Sequence, residues 1–219
     1  MGRSRSATRG LWLPVVAALG ALALWDTPVV WPLRIFVVFL HELSHGLAAV
    51  ATGGSIVRIE LSPAEGGLCV TQGGSRFLTL SAGYLGSLLW GVLFLLAGAR
   101  GRRDRAAVAL LGLMTLGVTL IYVRSLFGFV YGVAAGAALV AVAWKLPAAV
   151  SDAVLAVAGT VSCLYAVWDI ASDVLLRDIP GSDANALGAL TGIPGVVWGL
   201  FWVLTAVAVT VWALRAAAR

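Results

Sequence analysis

Long apolar runs recur along the whole chain, and they constrain its fold more than any other feature of the sequence. A transmembrane helix needs about 20 mainly apolar residues. The mean hydropathy is +0.99 and only 11% of the residues are charged, which a water-soluble domain could not carry without large exposed apolar patches. We therefore expect an all-α polytopic membrane protein with six or seven transmembrane helices. The runs lie at residues 11–25, 28–52, 77–98, 106–123, 126–144, 149–168 and 186–214.

No polar domain separates these runs, so residues 1–219 are expected to form a single membrane-embedded domain. Residues 28–219 are its predicted core, and residues 1–27 are a predicted N-terminal span. The start of the chain also resembles a signal peptide, with basic residues before an apolar run. We favour an uncleaved span, because the next apolar run begins almost at once. The protein is therefore expected to be a multi-pass protein of the cell membrane, surrounded by the lipid bilayer.

The net charge of +5 does not indicate a nucleic-acid partner, because the 15 basic residues are scattered at the ends of apolar runs. Basic residues in such places typically mark the cytoplasmic side. They alternate as expected from residue 100 onward. Before that point, either one early run fails to cross or the polar stretch 53–76 dips back into the protein. Cys69 and Cys163 match no metal-binding spacing, and we assign them no role.

The second apolar run contains the strongest chemical signal, the sequence HELSH at 41–45. On a helix, positions i and i+4 share a face, so His41 and His45 can bind one metal ion while Glu42 activates a water molecule. A chance match is the alternative in soluble proteins. Near the bilayer centre, however, each unpartnered ionisable group would cost roughly 2.5 kcal/mol or more. The sequence therefore predicts a Zn²⁺ site at His41 and His45, with Glu42 as the catalytic base.

Catalytic zinc usually takes three protein ligands, and both histidines of the chain are already used. The third ligand is therefore expected to be a carboxylate. Asp183, where the final helix should begin, is the first choice, and Asp169 is the second. An ordinary helix N-cap is the alternative role for Asp183. Four acids cluster in this part of the chain: Asp169, Asp173, Asp178 and Asp183.

Three further segments carry backbone signals. Apolar residues alternate with polar ones from residue 57, turn residues fill 62–67 and an extended pattern resumes at 68–72, which predicts a small β-hairpin over 56–72, between the HExxH helix and the next span. Gly83 and Gly86, in SAGYLGS, allow a close approach by a substrate strand or by another helix, and both remain open. The sequence LTGIPG at 190–195 should break or kink the last helix.

Together these residues resemble the site-2 protease group of intramembrane zinc metallopeptidases, and more particularly its small bacterial members. The resemblance implies a zinc ion held by His41 and His45, a water molecule activated by Glu42, and a membrane protein or peptide as substrate. In the main group the third ligand lies in an Asp-Gly motif of a later span, and the nearest analogue here, RSLFG, has no acid. The motifs that carry the resemblance are HELSHG at 41–46, TGG at 52–54, ELSPAEGG at 60–67, SAGYLGS at 81–87 and SDANALGALTGIPGVVWG at 182–199.

The leading hypothesis is thus an intramembrane zinc metalloprotease that cleaves in or near the membrane span of a protein substrate. The main alternative is a membrane scaffold protein that is catalytically inactive or keeps the metal for structure. A transporter that uses the same side chains as an ion relay is less favoured, because no repeat symmetry or paired broken helices are visible.

Overall fold

The computed structural model describes residues 16, 19–21, 23–25, 27–100, 104–176 and 181–217. Most of the predicted N-terminal span at 11–25 and the acid Asp178 lie outside these residues. The described chain is mostly helical and contains one small sheet. Its elements are α1 (Trp31–Ala51), β1 (Ser55–Leu61), β2 (Gly67–Gln72), α2 (Arg76–Arg100), α3 (Asp104–Tyr122), α4 (Leu126–Lys145), α5 (Ala148–Ile170), a π-helical turn (Ala171–Leu176), α6 (Asp183–Thr191) and α7 (Gly195–Ala217).

Six helices of the described chain are long and apolar enough to cross a membrane, which confirms the predicted polytopic architecture. The last apolar run is divided, as its glycine and proline indicate. Helix α6 ends at Thr191 and is capped by Gly192, whose φ of 76° favours glycine, and Pro194 stands just before α7. The six spans are Trp31–Ala51, Arg76–Ala99, Asp104–Tyr122, Leu126–Lys145, Ala148–Val174 and Gly195–Ala217.

Helix α1, which carries the HELSH sequence, is the central helix of the described bundle. Within its apolar window 67% of the residues are buried by protein, against 22% for α4 and for α7. Phe39 and Leu40 are fully buried just before His41, and α1 packs against α2, α5 and both strands. His41 therefore lies at the middle of a 21-residue helix of which a larger share is buried by protein than in any other described span.

Small residues bring neighbouring helices into backbone contact. In the α2–α5 pair, a Cβ added at Gly159 would lie 2.7 Å from the amide nitrogen of Leu95. In the α3–α4 pair, a Cβ added at Gly112 would lie 2.8 Å from the carbonyl oxygen of Gly136. Helices inside a membrane gain little from apolar burial against each other, so such close van der Waals packing holds them together.

The predicted hairpin is confirmed as two antiparallel strands that pair Ile59 with Cys69 and Leu61 with Gly67. The loop between α3 and α4 covers the outer edge of β1. In that loop the backbone N–H of Arg124 donates to the oxygen of Ile59 at 2.9 Å. The backbone N–H of Leu61 donates to the hydroxyl of Ser125 at 2.9 Å, and the same hydroxyl donates to the carbonyl oxygen of Leu61 at 2.9 Å.

The hairpin tip is fastened to the start of α1. The indole nitrogen of Trp31 donates to the carbonyl oxygen of Pro63 at 3.0 Å, and Arg34 pairs with Glu65 at 2.9 Å. These contacts hold the sheet over the segment of α1 that precedes the HELSH sequence.

Candidate metal centre

A cavity of about 1290 Å³ lies between α1, the hairpin, α2 and the segment from α5 to α6. The structure brings both histidines and Glu42 to this cavity, together with both predicted carboxylates, Asp183 and Asp169. Residues more than 140 positions apart in sequence therefore meet around one space.

Three electron-donating atoms converge at one point of the cavity wall. The Nε2 atoms of His41 and His45 lie 3.0 Å apart. Asp183 Oδ2 lies 3.1 Å from His41 Nε2 and 3.2 Å from His45 Nε2. These three residues form the one group in the described chain that could hold a metal ion.

The hydrogen bonds around this group indicate which atoms carry protons. His45 Nδ1 lies 2.7 Å from the carbonyl oxygen of Thr79, which can only accept, so Nδ1 donates and Nε2 of the neutral ring presents a lone pair. Asp183 Oδ2 is buried and receives no hydrogen bond from the described residues. Lone pairs crowded in this way are stabilised by a proton or by a metal cation held between them.

The donor set fits zinc. Two imidazole nitrogens and one carboxylate oxygen are among its usual ligands, at about 2.0–2.2 Å from the metal. Tetrahedral ligands at that distance lie roughly 3.3 Å or slightly more from one another. The observed separations of 3.0–3.2 Å come close to this value.

Asp183 reaches the histidines from the first turn of α6. The N-cap of this helix is Ser182, whose hydroxyl accepts a hydrogen bond from the amide of Asn185, so the N-cap role considered for Asp183 is wrong. Burial alone would raise the pKa of Asp183, but the adjacent imidazoles of His45 and His41 lower it below its usual value. The Asp183 carboxylate is therefore ionised where it meets the two imidazole rings. Asp169 lines the same cavity but is not part of the donor group.

Glu42 lies beneath β2, with only 6% of its surface exposed. The backbone of Cys69 hydrogen-bonds to its carboxylate. A Cβ added at Gly67 would overlap the Glu42 carboxylate, so only glycine leaves room for this side chain. Sequence reasoning treated Gly67 as a turn residue and missed this contact. Burial, with the charge of Glu42, raises the pKa of Cys69 to about 12, so this thiol stays protonated at neutral pH.

The two glycines predicted to contact substrate have different neighbours. A Cβ added at Gly83 would lie 2.5 Å from Asp183 Oδ2 and from both Nε2 atoms, so Gly83 leaves space at the donor group. A Cβ added at Gly86 would overlap the side chain of Ser44, which is the helix-packing alternative. Substrate contact at Gly83 and Gly86 stays a prediction.

Comparison with known proteins adds one match. The Peptidase M50B-like family matches residues 14–213, which include every strand and span described above except the end of the last helix. No significant match to this chain was found among curated proteins or among solved structures. The resemblance to site-2 proteases is thereby confirmed at the level of the family. Because the match covers nearly the whole chain, this multi-pass membrane protein belongs to the Peptidase M50B-like family.

Proposed function

We propose that this protein is a zinc metalloprotease of the cell membrane that hydrolyses a peptide bond in or near the membrane span of a protein substrate. The observation that carries the proposal is the convergence of His41 Nε2, His45 Nε2 and Asp183 Oδ2 within 3.0–3.2 Å of one another. A zinc ion bound by these three side chains would keep one position open and would lower the pKa of a water molecule there.

Glu42 is the proposed general base. It is not one of the three donor residues, but it follows His41 directly on the same helix and lines the same cavity. In the proposed reaction the water oxygen attacks the substrate carbonyl carbon while Glu42 takes a proton from that water. Glu42 then returns the proton to the amide nitrogen as the C–N bond breaks, which leaves one new carboxyl end and one new amino end.

The substrate is proposed to bind as an extended strand along β2. The backbone groups of Ile59 and Leu61 point away from β2 toward the α3–α4 loop. In an antiparallel pair, their partners Cys69 and Gly67 must then point their own backbone groups away from β1. Gly67 and Cys69 both line the cavity, where the backbone of Cys69 meets the Glu42 carboxylate.

This geometry also gives a reason for local unwinding. The carbonyl groups of a helical substrate are already hydrogen-bonded, so a transmembrane helix must open before a water molecule can attack one of them. The backbone groups of this edge that Glu42 does not use would offer replacement hydrogen bonds to the opened segment. The cavity therefore combines a place for the strand with the proposed base.

The test compares membrane fractions of cells that produce the wild-type protein or the Glu42→Gln variant. New peptide termini are identified by mass spectrometry, and zinc is measured in the purified proteins. We expect cleavages in or next to membrane spans that fall by roughly 10²–10⁴-fold in Glu42→Gln, while zinc is retained. His41→Ala should lose the zinc itself.

Glu60→Gln is the matched control, because Glu60 lies on β1, is paired with Arg58 and does not line the cavity. It should cleave like the wild type. Zinc bound with the same cleavage pattern in the wild type and in Glu42→Gln would reject the protease and support the scaffold alternative.

A further inference from the structure

The two imidazoles of the donor group are held in place in different ways. His45 is fixed by the hydrogen bond from Nδ1 to the carbonyl oxygen of Thr79. The ring of His41 meets two aromatic rings edge to face: that of His45, with centroids 4.8 Å apart and an angle of 75°, and that of Tyr84, with centroids 5.0 Å apart and an angle of 79°. Tyr84 is thus the aromatic neighbour of His41 that does not itself belong to the donor group.

Tyr84 is itself firmly positioned. Only 2% of its surface is exposed, and its ring packs against Trp202 of α7 with centroids 5.4 Å apart. Its hydroxyl donates a hydrogen bond of 3.1 Å to Asp173 Oδ2. The phenol proton is thus used toward Asp173, which points to a positioning role rather than to a catalytic one.

Asp173 belongs to the π-helical turn that follows α5. Single π-helical turns are frequent at functional sites. Here the turn lies on the segment of chain that leads on to α6 and Asp183. The chain from this turn to α6 therefore supplies two groups of the site. One is Asp183 of the donor group, and the other is Asp173, the hydrogen-bond partner of Tyr84.

We propose that Tyr84 is a positioning residue for His41 and that Asp173 holds Tyr84 in the orientation this requires. The inference rests on the metal site of the proposed function. Tyr84 follows Gly83, whose lack of a side chain leaves room for the three donor atoms. Helix α2 thus provides the space for the metal at one residue and the support for a ligand at the next.

The experiment measures metal affinity rather than proteolysis. Metal-free wild-type protein and variants, in the same detergent, are titrated with Zn²⁺ and Co²⁺ in competition with a chromophoric chelator. Tyr84→Phe keeps the ring and loses the hydrogen bond to Asp173, and we expect its affinity to fall about tenfold, as for other groups that orient a metal ligand. The visible absorption of the Co²⁺ form should shift, because the position of one imidazole changes.

A second comparison isolates the link between the two residues. In an Asp173→Ala background, the further change Tyr84→Phe should cost no additional affinity, because the bond is already absent. An equal cost of Tyr84→Phe in both backgrounds would overturn the link to Asp173.

Tyr131→Phe is the matched control. Its hydroxyl donates to the carbonyl oxygen of Pro32 at 2.6 Å, and Tyr131 does not line the cavity. It should bind metal like the wild type, whereas thermal unfolding of the metal-free proteins reports the purely structural cost of each lost bond. An unchanged affinity in Tyr84→Phe, or an equal loss in Tyr131→Phe, would overturn the inference and leave the proposed function standing. A wild-type protein that binds neither metal would instead reject the proposed function.

Discussion

The α3–α4 pair and the metal-site region around α1 and α2 both depend on a glycine in a helix, but the glycine has a different role in each region. At Gly112 the missing side chain lets α3 approach the backbone of α4. At Gly83 the missing side chain makes room for three polar atoms instead. Glycine thus builds the helix pair in one region and creates the space for a ligand group in the other.

Helices α4 and α1 also differ in how much of their surface is covered by protein. Helix α4 leaves large apolar side chains such as Leu126 exposed, as expected for a surface in contact with lipid. Helix α1 is enclosed by protein, and Glu42 and His45 are more than 90% buried there. Ionisable groups at membrane depth are costly unless they face the interior and find partners, and an enclosed helix such as α1 provides both conditions.

The largest effect is expected from the third member of the donor group. Asp183→Asn removes the negative charge that balances the cation, so zinc affinity should fall by more than about 100-fold, beyond the loss typical of supporting residues. Asp169→Asn is the matched change at the other carboxylate that the sequence predicts as a ligand, and this variant should keep its zinc. Metal content of the purified variants measures both. If only Asp169→Asn lost the metal, the assignment of these two acids would be reversed.

An intermediate effect is expected from the two glycines that define the comparison. Gly83→Ala places a methyl group among the three donor atoms, so zinc affinity should fall about 10–100-fold. Gly112→Ala presses a methyl group against the backbone of Gly136, so the free energy of unfolding should drop by about 1–3 kcal/mol while zinc affinity is unchanged.

Metal titration measures the zinc affinity of both variants, and denaturant unfolding measures their free energy of unfolding. The distinction between the two regions requires that each variant lose a different property. It fails if Gly112→Ala weakens zinc binding as much as Gly83→Ala does.

The spans, the hairpin and the pairing of His41 with His45 could be predicted because each depends on local periodicity: the length of apolar runs, alternation, and the i to i+4 spacing of a helix. Sequence reasoning narrowed the carboxylate to Asp183 or Asp169, and the structure brings Asp183 to the histidines. The roles of other residues depend on contacts between distant elements, which no local pattern records.

Two residues illustrate this limit. Gly67 meets Glu42 across the α1–β2 contact, and Tyr84 meets His41 across the α1–α2 contact. In sequence, Gly67 is one of two adjacent turn glycines, and Tyr84 is an aromatic residue of an apolar helix. Their importance follows only from the docking of whole elements against α1.

The smallest effect on the metal, but a clear one on activity, is expected from Gly67→Ala. A Cβ there overlaps the Glu42 carboxylate and must displace the proposed base, and a displacement of about 1 Å can cost 100-fold in rate. Zinc should remain, because the donor group is untouched. Gly66→Ala is the matched control, since its Cβ would only meet Ser62 Cβ at 3.8 Å. Cleavage rates and zinc content of the two variants separate the base from the metal, and full activity in Gly67→Ala would mean that Glu42 need not occupy this buried position to act.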